Sequence, residues 1–173
     1  MTVAEKIWIG PNYSNQRVFV LGESWYGNFT ADLATDDGYI RAYLEGHQPD
    51  SMYSRMANAC MGNDSAQARR DYWLGLMFTN FVQCVGGNRA DRPTTEMLKA
   101  ARPRLAALLE VLKPAGVWIL GIGQGEFSAP VVAAAGIPFE VTAHPTSYGL
   151  KNAILGASWK TLLVKAKSCV PVR

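Results

Sequence analysis

Four short runs of apolar residues, rich in β-branched and aromatic side chains, constrain the fold of this chain more than any other feature. They span residues 17–23, 76–85, 116–121 and 137–143. Each run ends at glycine or polar residues, and apolar runs of this length with such boundaries are typical of buried strands. The sequence therefore predicts a sheet that is covered on both faces.

Helical patterns separate these runs. The clearest covers residues 94–112, where a threonine can cap the first turn and leucines recur at helical spacing, although Pro103 predicts a kink or a break. Further helices are predicted at 128–135 and 150–166. Strands that alternate with helices in this way indicate an α/β fold, with a three-layer α/β/α arrangement around a central four-stranded parallel sheet.

The chain is predicted to form one domain. Its 173 residues are 49% hydrophobic and 18% charged, which is ample for a packed core and excludes a disordered protein. No repeat or linker divides it, so residues 1–173 are interpreted as a single unit. Residues 30–75 carry a helical pattern that does not fit the strand–helix alternation, and they are interpreted as a helical insertion.

Charge and cysteine content limit the partners and the compartment. With 17 Lys and Arg against 14 Asp and Glu, the net charge of +3 permits a nucleic-acid partner without requiring one. The three cysteines lack the spacing of a disulfide framework or a metal finger, so we expect a reducing compartment, cytoplasmic or nucleoid-associated rather than secreted. No apolar run is long enough for a membrane span. We also expect the protein to be a monomer.

Three polar side chains lie in or just after predicted strands, near the edge where ligands bind open parallel sheets. Glu23 follows the first strand, Asn80 lies in the second, and His144 precedes a proline just after the fourth. A carboxylate, an amide and an imidazole there could hydrogen-bond to a small planar ligand and transfer protons. Taken singly, each has a simpler interpretation: a solvated turn carboxylate, a structural amide and a surface histidine.

A glycine series at Gly121–Gly125 is a fourth candidate. It has some likeness to half of a loop that binds a dinucleotide or a methyl donor. No acidic residue stands about twenty positions further on to bind a ribose, since Glu140 lies within the next predicted strand. Turn glycines between a strand and a helix explain the series more simply.

The order of these motifs resembles the uracil-DNA glycosylase superfamily, most closely its iron–sulfur, thermophile-type branch. The resemblance covers residues 17–28 and 76–150 and leaves the helical insertion unaligned. It rests on Gly22-Glu23-Ser24, Thr79-Asn80 with Cys84, Gly87-Asn88-Arg89, Lys113-Pro114, Leu120-Gly121 and His144-Pro145-Thr146.

The chain departs from that branch at two places. Only Cys84 falls on a cluster-ligand position, Ala101 replaces a second ligand, and the N-terminal CxxC is missing, so we expect no metal and no cofactor. The best-known branch of the superfamily has an aspartate that orients water where this chain has Ser24. The residue that excludes the methyl group of thymine in that branch is matched by Tyr26.

The resemblance implies a role for each candidate residue. It assigns catalysis to Glu23 and His144, and recognition of the base to Asn80, Tyr26, Trp25 and Ser24. The contacts to DNA fall on Arg89, Arg92, Thr146, Ser147, Leu150 and Lys151, with Leu150 as the wedge that fills the gap in the duplex. The partner implied is DNA that carries uracil or another lesion.

Three function classes remain open from the sequence. The first is an enzyme, a DNA glycosylase that hydrolyses the N-glycosidic bond of a deaminated base such as uracil. The second is a protein of the same fold that has lost excision and binds nucleic acid or a nucleotide. The third is a nucleotide- or methyl-donor-dependent enzyme that uses Gly121–Gly125.

Overall fold

The computed structural model describes residues 7–24, 35–83 and 92–168, and within them the chain forms a five-stranded mixed sheet flanked by helices. The strands are β1 (Trp8–Ile9), β2 (Val18–Ser24), β3 (Leu76–Val82), β4 (Gly116–Leu120) and β5 (Phe139–Thr142). Their order is β1-β3-β2-β4-β5; the last four are parallel, and β1 pairs antiparallel with β3.

The α/β class predicted from the sequence is confirmed, and all four predicted strands are present. The prediction of a purely parallel sheet of four strands is corrected by β1 at the edge. With two residues, β1 is too short to show the alternation of side chains by which a strand is recognised.

Six helices connect these strands in the described residues. They are α1 (Asp36–Leu44), α2 (Ser51–Met61), α3 (Ala66–Leu74), α4 (Thr95–Leu112), α5 (Ile122–Ala134) and α6 (Asn152–Ser168). The first four begin with a side-chain cap, in which an oxygen of Thr35, Asp50, Ser65 or Thr94 accepts a hydrogen bond from a backbone N–H of the first turn. No helix in this part of the chain is long and apolar enough to cross a membrane.

Helix α4 has its predicted bounds, whereas α5 differs from its predicted start. Pro103 does not break α4, which runs on to Leu112; Pro103 lies on an exposed face, where water can bind the carbonyl that loses its N–H partner. Helix α5 begins at Ile122 rather than near residue 128, so most of the Gly121–Gly125 series lies within its first turn.

The two faces of the sheet build separate hydrophobic cores, because neighbouring side chains of a strand point to opposite faces. In β2, for example, Val18 and Val20 contribute to the core beneath α1, α2, α3 and α6. Phe19 and Leu21 contribute to the core beneath α4 and α5. Helices therefore cover both faces of the sheet.

The topology places a crevice beside β2. The chain leaves β2 through α1, α2 and α3 on one face to reach β3, and it leaves β4 through α5 on the other face to reach β5. Since β2 lies between β3 and β4, the connections diverge at the carboxyl ends of β2 and β4. This is the position at which open α/β sheets bind their ligands.

Candidate functional site

A cavity of about 470 Å³ opens at this crevice. Its polar lining comes from strand ends and the turn after β5, and its other wall comes from α1, α2 and the loop between them. The lining residues are Gly22, Ser24, Phe78, Asn80, Leu120, His144 and Thr146, together with Arg92, Tyr39 and residues 48–53. The volume lies in the range of small-molecule sites.

The cavity brings together several residues that the sequence analysis assigned to one site. Ser24, Asn80, Arg92, His144 and Thr146 all line it. Of the remaining assigned residues, Glu23 lies beside the cavity through its contact with Arg92, whereas Ser147, Leu150 and Lys151 are outside the lining. The predictions for Trp25, Tyr26 and Arg89 fall outside the described residues.

Glu23 forms an ion pair at the mouth of the cavity. Its Oε2 atom accepts from Nη1 of Arg92 over 2.8 Å, and 14% of its side chain is exposed against 67% for Arg92. A carboxylate shielded to this degree interacts with nearby charges more strongly than one in open water. Both charges of the pair act on His144, another residue that lines the cavity.

The surroundings of His144 favour the neutral form of its imidazole. Burial lowers its pKa below the ordinary value, and Arg92 lowers it further, while Glu23 opposes both effects. The Nδ1 atom accepts from the backbone N–H of Thr146 over 3.3 Å and lies 2.7 Å from the hydroxyl oxygen of the same residue. An Nδ1 that accepts from this N–H leaves the proton of the neutral ring on Nε2, from which the ring can donate a hydrogen bond.

Asn80 is almost fully buried, with 6% of its surface exposed, and its amide is oriented by neighbours. The Nδ2 atom donates to Oδ1 of Asp36 over 3.0 Å. The amide oxygen lies against Gly22, where a methyl group in place of hydrogen would approach it to 2.4 Å. Glycine at this position of β2 is therefore what lets the amide of β3 reach the cavity.

Asp36 is a site residue that sequence reasoning missed. It is fully buried at the first position of α1, beneath the cavity. Acidic residues after a threonine cap are typical of a solvated helix start, so the pattern Thr35-Asp36-Asp37 gave no signal of burial. Its contacts come from β3, which lies some forty residues away in the chain.

An aromatic wall was also missed. Tyr39, Tyr53 and Phe78 line one side of the cavity, with ring centroids 5.4 Å apart for Tyr39 and Tyr53 and 5.6 Å apart for Tyr53 and Phe78. The Tyr39 hydroxyl donates to Oδ2 of Asp50 over 2.9 Å, which ties α1 to the start of α2. Two of these rings belong to the helical insertion, whose role the sequence left open.

The turn after His144 exposes a different side chain from the one predicted. Leu150, the predicted wedge, is partly buried and packs against the core. Tyr148, two residues earlier, is fully exposed. Lys151 and Thr146 are exposed on either side of it. The apolar surface available at this turn is thus that of Tyr148.

The glycine series has a structural explanation. Gly121 takes a φ of +128°, which favours glycine, and a methyl group at Gly125 would lie 2.8 Å from the side chain of Val141. Between them Gln124 is fully buried and donates to the carbonyl oxygens of Leu21 and Leu120 over 3.0 and 2.8 Å. These contacts dock α5 on the sheet and occupy the amide nitrogen.

Metal ligands are not gathered in the described residues, which hold no group of three or more His, Cys, Asp or Glu suited to a metal ion. Cys84, the residue on a cluster-ligand position, lies outside them, and Ala101 packs partly buried on the second core. The absence of an iron–sulfur cluster stays a prediction.

The comparisons with known proteins assign no family. No family model matches the chain, and no curated protein matches it. One cavity gathers a buried, hydrogen-bonded amide, a histidine whose pKa is lowered, an ion pair at its mouth and an aromatic wall.

Proposed function

We propose that the protein is a DNA glycosylase that removes a deaminated base such as uracil. The observation that carries this proposal is the placement of Asn80 and His144 on one cavity at the carboxyl edge of the sheet. The α/β fold, with four parallel strands and helices on both faces of the sheet, also supports the proposal. Asn80 would form hydrogen bonds with the edge of the base, and His144 would stabilise the base as it leaves the sugar.

The reaction breaks the bond between the sugar and the base, and negative charge develops on the departing base. A neutral imidazole that donates from Nε2 can hydrogen-bond to this developing oxyanion, which is electrostatic stabilisation of the transition state. The Thr146 contacts fix the tautomer that this requires. A protonated His144 would be costly here, because the site is shielded from water and Arg92 is close.

The positive charge that develops on the sugar needs a counterpart, and Glu23 supplies a carboxylate near the mouth. It would orient the attacking water or stabilise the sugar cation. Its ion pair with Arg92 holds the carboxylate in place at 2.8 Å. Ser24 is buried at 8% exposure, and its hydroxyl has no partner among the described residues, so it is also available to a water molecule.

Access to a base in DNA requires that the nucleotide leave the stack, which costs a few kcal/mol. The aromatic wall formed by Tyr39, Tyr53 and Phe78 offers the extruded base an apolar surface. Tyr148 at the rim is the exposed side chain suited to fill the gap left in the duplex, a role that the sequence analysis gave to Leu150. Arg92 and Lys151 would contact phosphates without reading sequence.

A second candidate function is a protein of this fold that binds nucleic acid without excising a base. Ser24 is the observation that favours it, because the resemblance places a water-orienting aspartate at that position and a serine cannot act as a base in the same way. The glycosylase is preferred because a binding protein would not need a neutral histidine held in one tautomer beside the amide.

One assay separates these candidates. Oligonucleotides that carry a single uracil, hypoxanthine or xanthine are incubated with the protein and then treated with alkali, which cleaves at abasic sites. Cleavage at a lesion supports the glycosylase, whereas retention of the oligonucleotide without cleavage supports the binding protein. An oligonucleotide without a lesion is the control for contaminating nuclease.

A further inference from the structure

Asp36 contacts the base-binding residue from behind, outside the lining of the cavity. It is fully buried, and both of its carboxylate oxygens accept hydrogen bonds from β3. Oδ2 accepts from the hydroxyl of Thr79, and Oδ1 accepts from Nδ2 of Asn80 over 3.0 Å. Because both carboxylate oxygens are acceptors, Thr79 and Asn80 must each direct a donor toward Asp36.

The hydroxyl of Thr79 donates to Asp36. Its oxygen accepts from Nη2 of Arg104 over 2.9 Å and from Nε2 of Gln83 over 3.1 Å, which fills both acceptor positions. The other acceptor within reach of its proton, the carbonyl oxygen of Asn80, lies 3.5 Å away and makes the weaker contact. Arg104 and Gln83 also donate to the backbone carbonyl oxygen of Asn80, over 3.1 and 2.7 Å, and hold the strand in place.

The Asn80 amide is therefore the group in this hydrogen-bond network whose orientation can change. As long as both oxygens of Asp36 accept, the amide must direct its nitrogen to Asp36 and its oxygen to the Gly22 side. If Asp36 presented a donor instead, the amide would have to turn by half a rotation to offer its oxygen. The two orientations show opposite hydrogen-bonding patterns to the cavity.

We propose that Asp36, acting as a carboxylate, fixes the orientation of the Asn80 amide and so makes the site select uracil over cytosine. This inference rests on the proposed function. Uracil offers an N3–H donor beside an O4 acceptor, whereas cytosine offers an N3 acceptor beside an N4 donor. An amide of fixed orientation forms two hydrogen bonds with one of these base edges. Against the other edge, donor faces donor and acceptor faces acceptor, so the site discriminates strongly against that base.

The surroundings of Asp36 make its ionisation sensitive. Burial raises its pKa to about 7, against the opposing effects of the Thr79 hydrogen bond, the charge of Arg104 from α4 and the contacts of Asn80 and Gln83. Tyr53 of α2 also interacts electrostatically with the Asp36 carboxylate. Asp36 is thus a positioning residue, which touches no part of the base and acts through Asn80.

The test is Asp36→Asn. The other acceptor near the Thr79 hydroxyl, the Asn80 carbonyl oxygen, is 3.5 Å away and already accepts from Arg104 and Gln83. We therefore expect the new amide to turn its oxygen to Thr79 and its nitrogen to Asn80, so that the Asn80 amide turns. The ratio of single-turnover excision rates for uracil over cytosine should then fall by about tenfold or more, since two hydrogen bonds change partners. Asp37→Asn is the matched control, because Asp37 pairs with Arg41 on the surface, and it should leave the ratio unchanged.

The outcomes separate the two claims. Wild-type protein that excises none of uracil, hypoxanthine and xanthine overturns the proposed function and this inference with it. Wild-type protein that excises another of these bases but not uracil, or that excises uracil and cytosine equally, overturns the inference alone. Wild-type protein that is active and selective, alongside a folded Asp36→Asn variant with the same selectivity, overturns the inference alone. Binding of free uracil and free cytosine, measured by calorimetry, gives a second selectivity ratio that should change in the same direction.

A measurement on the wild-type protein covers the case in which Asp36→Asn does not fold. The ¹³C signal of the Asp36 carboxyl group and the ¹⁵N signal of the Asn80 side chain should titrate together with one midpoint, because protonation of the carboxyl group removes the acceptor of the amide. An Asn80 signal that stays constant while Asp36 titrates would overturn the proposal.

Discussion

Arg55 in α2 donates from Nε to Oδ1 of Asn152, at the start of α6, over 2.8 Å. The same guanidinium donates to the carbonyl oxygens of Pro145 and Leu150. These three acceptors bracket the turn that follows His144, so one side chain of the helical insertion holds both ends of that turn. The insertion thereby supports the site from outside as well as lining it.

Loss of this contact should slow the reaction through His144. Arg55→Ala removes hydrogen bonds from a charged donor, each worth about 1.5–3 kcal/mol, so we expect the single-turnover rate on uracil to fall by about tenfold or more. Arg69→Ala is the control, since Arg69 donates to the backbone of Asp64 in the same insertion but away from the cavity. Equal rates for the two variants, with circular dichroism unchanged, would contradict the role of Arg55.

Gly22→Ala should abolish base binding without unfolding the protein. The added methyl group would lie 2.4 Å from Oδ1 of Asn80 and 3.0 Å from Cζ of Phe78, so the amide must move. Gly123→Ala is the matched control, because nothing lies within 4 Å of the added methyl group in α5 and alanine favours a helix. Titration with free uracil measures the affinity of both variants. Normal affinity in the Gly22→Ala variant would show that the Asn80 amide does not bind the base.

The pKa of His144 should respond in opposite directions to its two charged neighbours. Arg92→Ala removes a positive charge that lowers this pKa, so the pKa should rise. Glu23→Gln removes the negative charge that raises it, so the pKa should fall further. The midpoint of the ring signals of His144, followed by NMR over pH, measures both shifts. Identical midpoints in wild type, Arg92→Ala and Glu23→Gln would show that the ion pair does not affect the His144 ring.

Stability should depend on pH through Asp36. Its pKa is raised to about 7 in the folded protein, above the value in an unfolded chain, so the folded state holds a proton that the unfolded state has lost between about pH 4 and 7. The contribution of Asp36 therefore stabilises the fold at low pH and is lost as pH rises through 7. The difference in unfolding free energy between Asp36→Asn and wild type should shift in favour of the variant from pH 5 to pH 8. Urea denaturation at both pH values tests this; a constant difference would mean that the carboxyl group ionises as it does in water.

The strands and the polar positions at their ends could be predicted because they depend on local patterns. Glu23 and His144 lie at or just after the end of an apolar run and Asn80 lies in the second half of β3, and parallel strands bring such positions to one edge. Asp36 and Arg55 could not be predicted, because a capped acidic helix start and an arginine on a helix are typical of solvated surfaces. Their contacts span 43 to 97 positions in the chain and exist only once the helical insertion packs on the sheet.

The most direct test of the glycosylase proposal compares wild-type protein with His144→Ala on a single-stranded oligonucleotide that carries one uracil, under single-turnover conditions. The account predicts that wild type leaves an alkali-labile site and that His144→Ala is slower by a factor on the order of tens to thousands, since one donor to a developing oxyanion contributes about 2–4 kcal/mol. Binding of the abasic product should change little, because that hydrogen bond strengthens in the transition state. An active wild type whose rate is unaffected by His144→Ala would contradict the account.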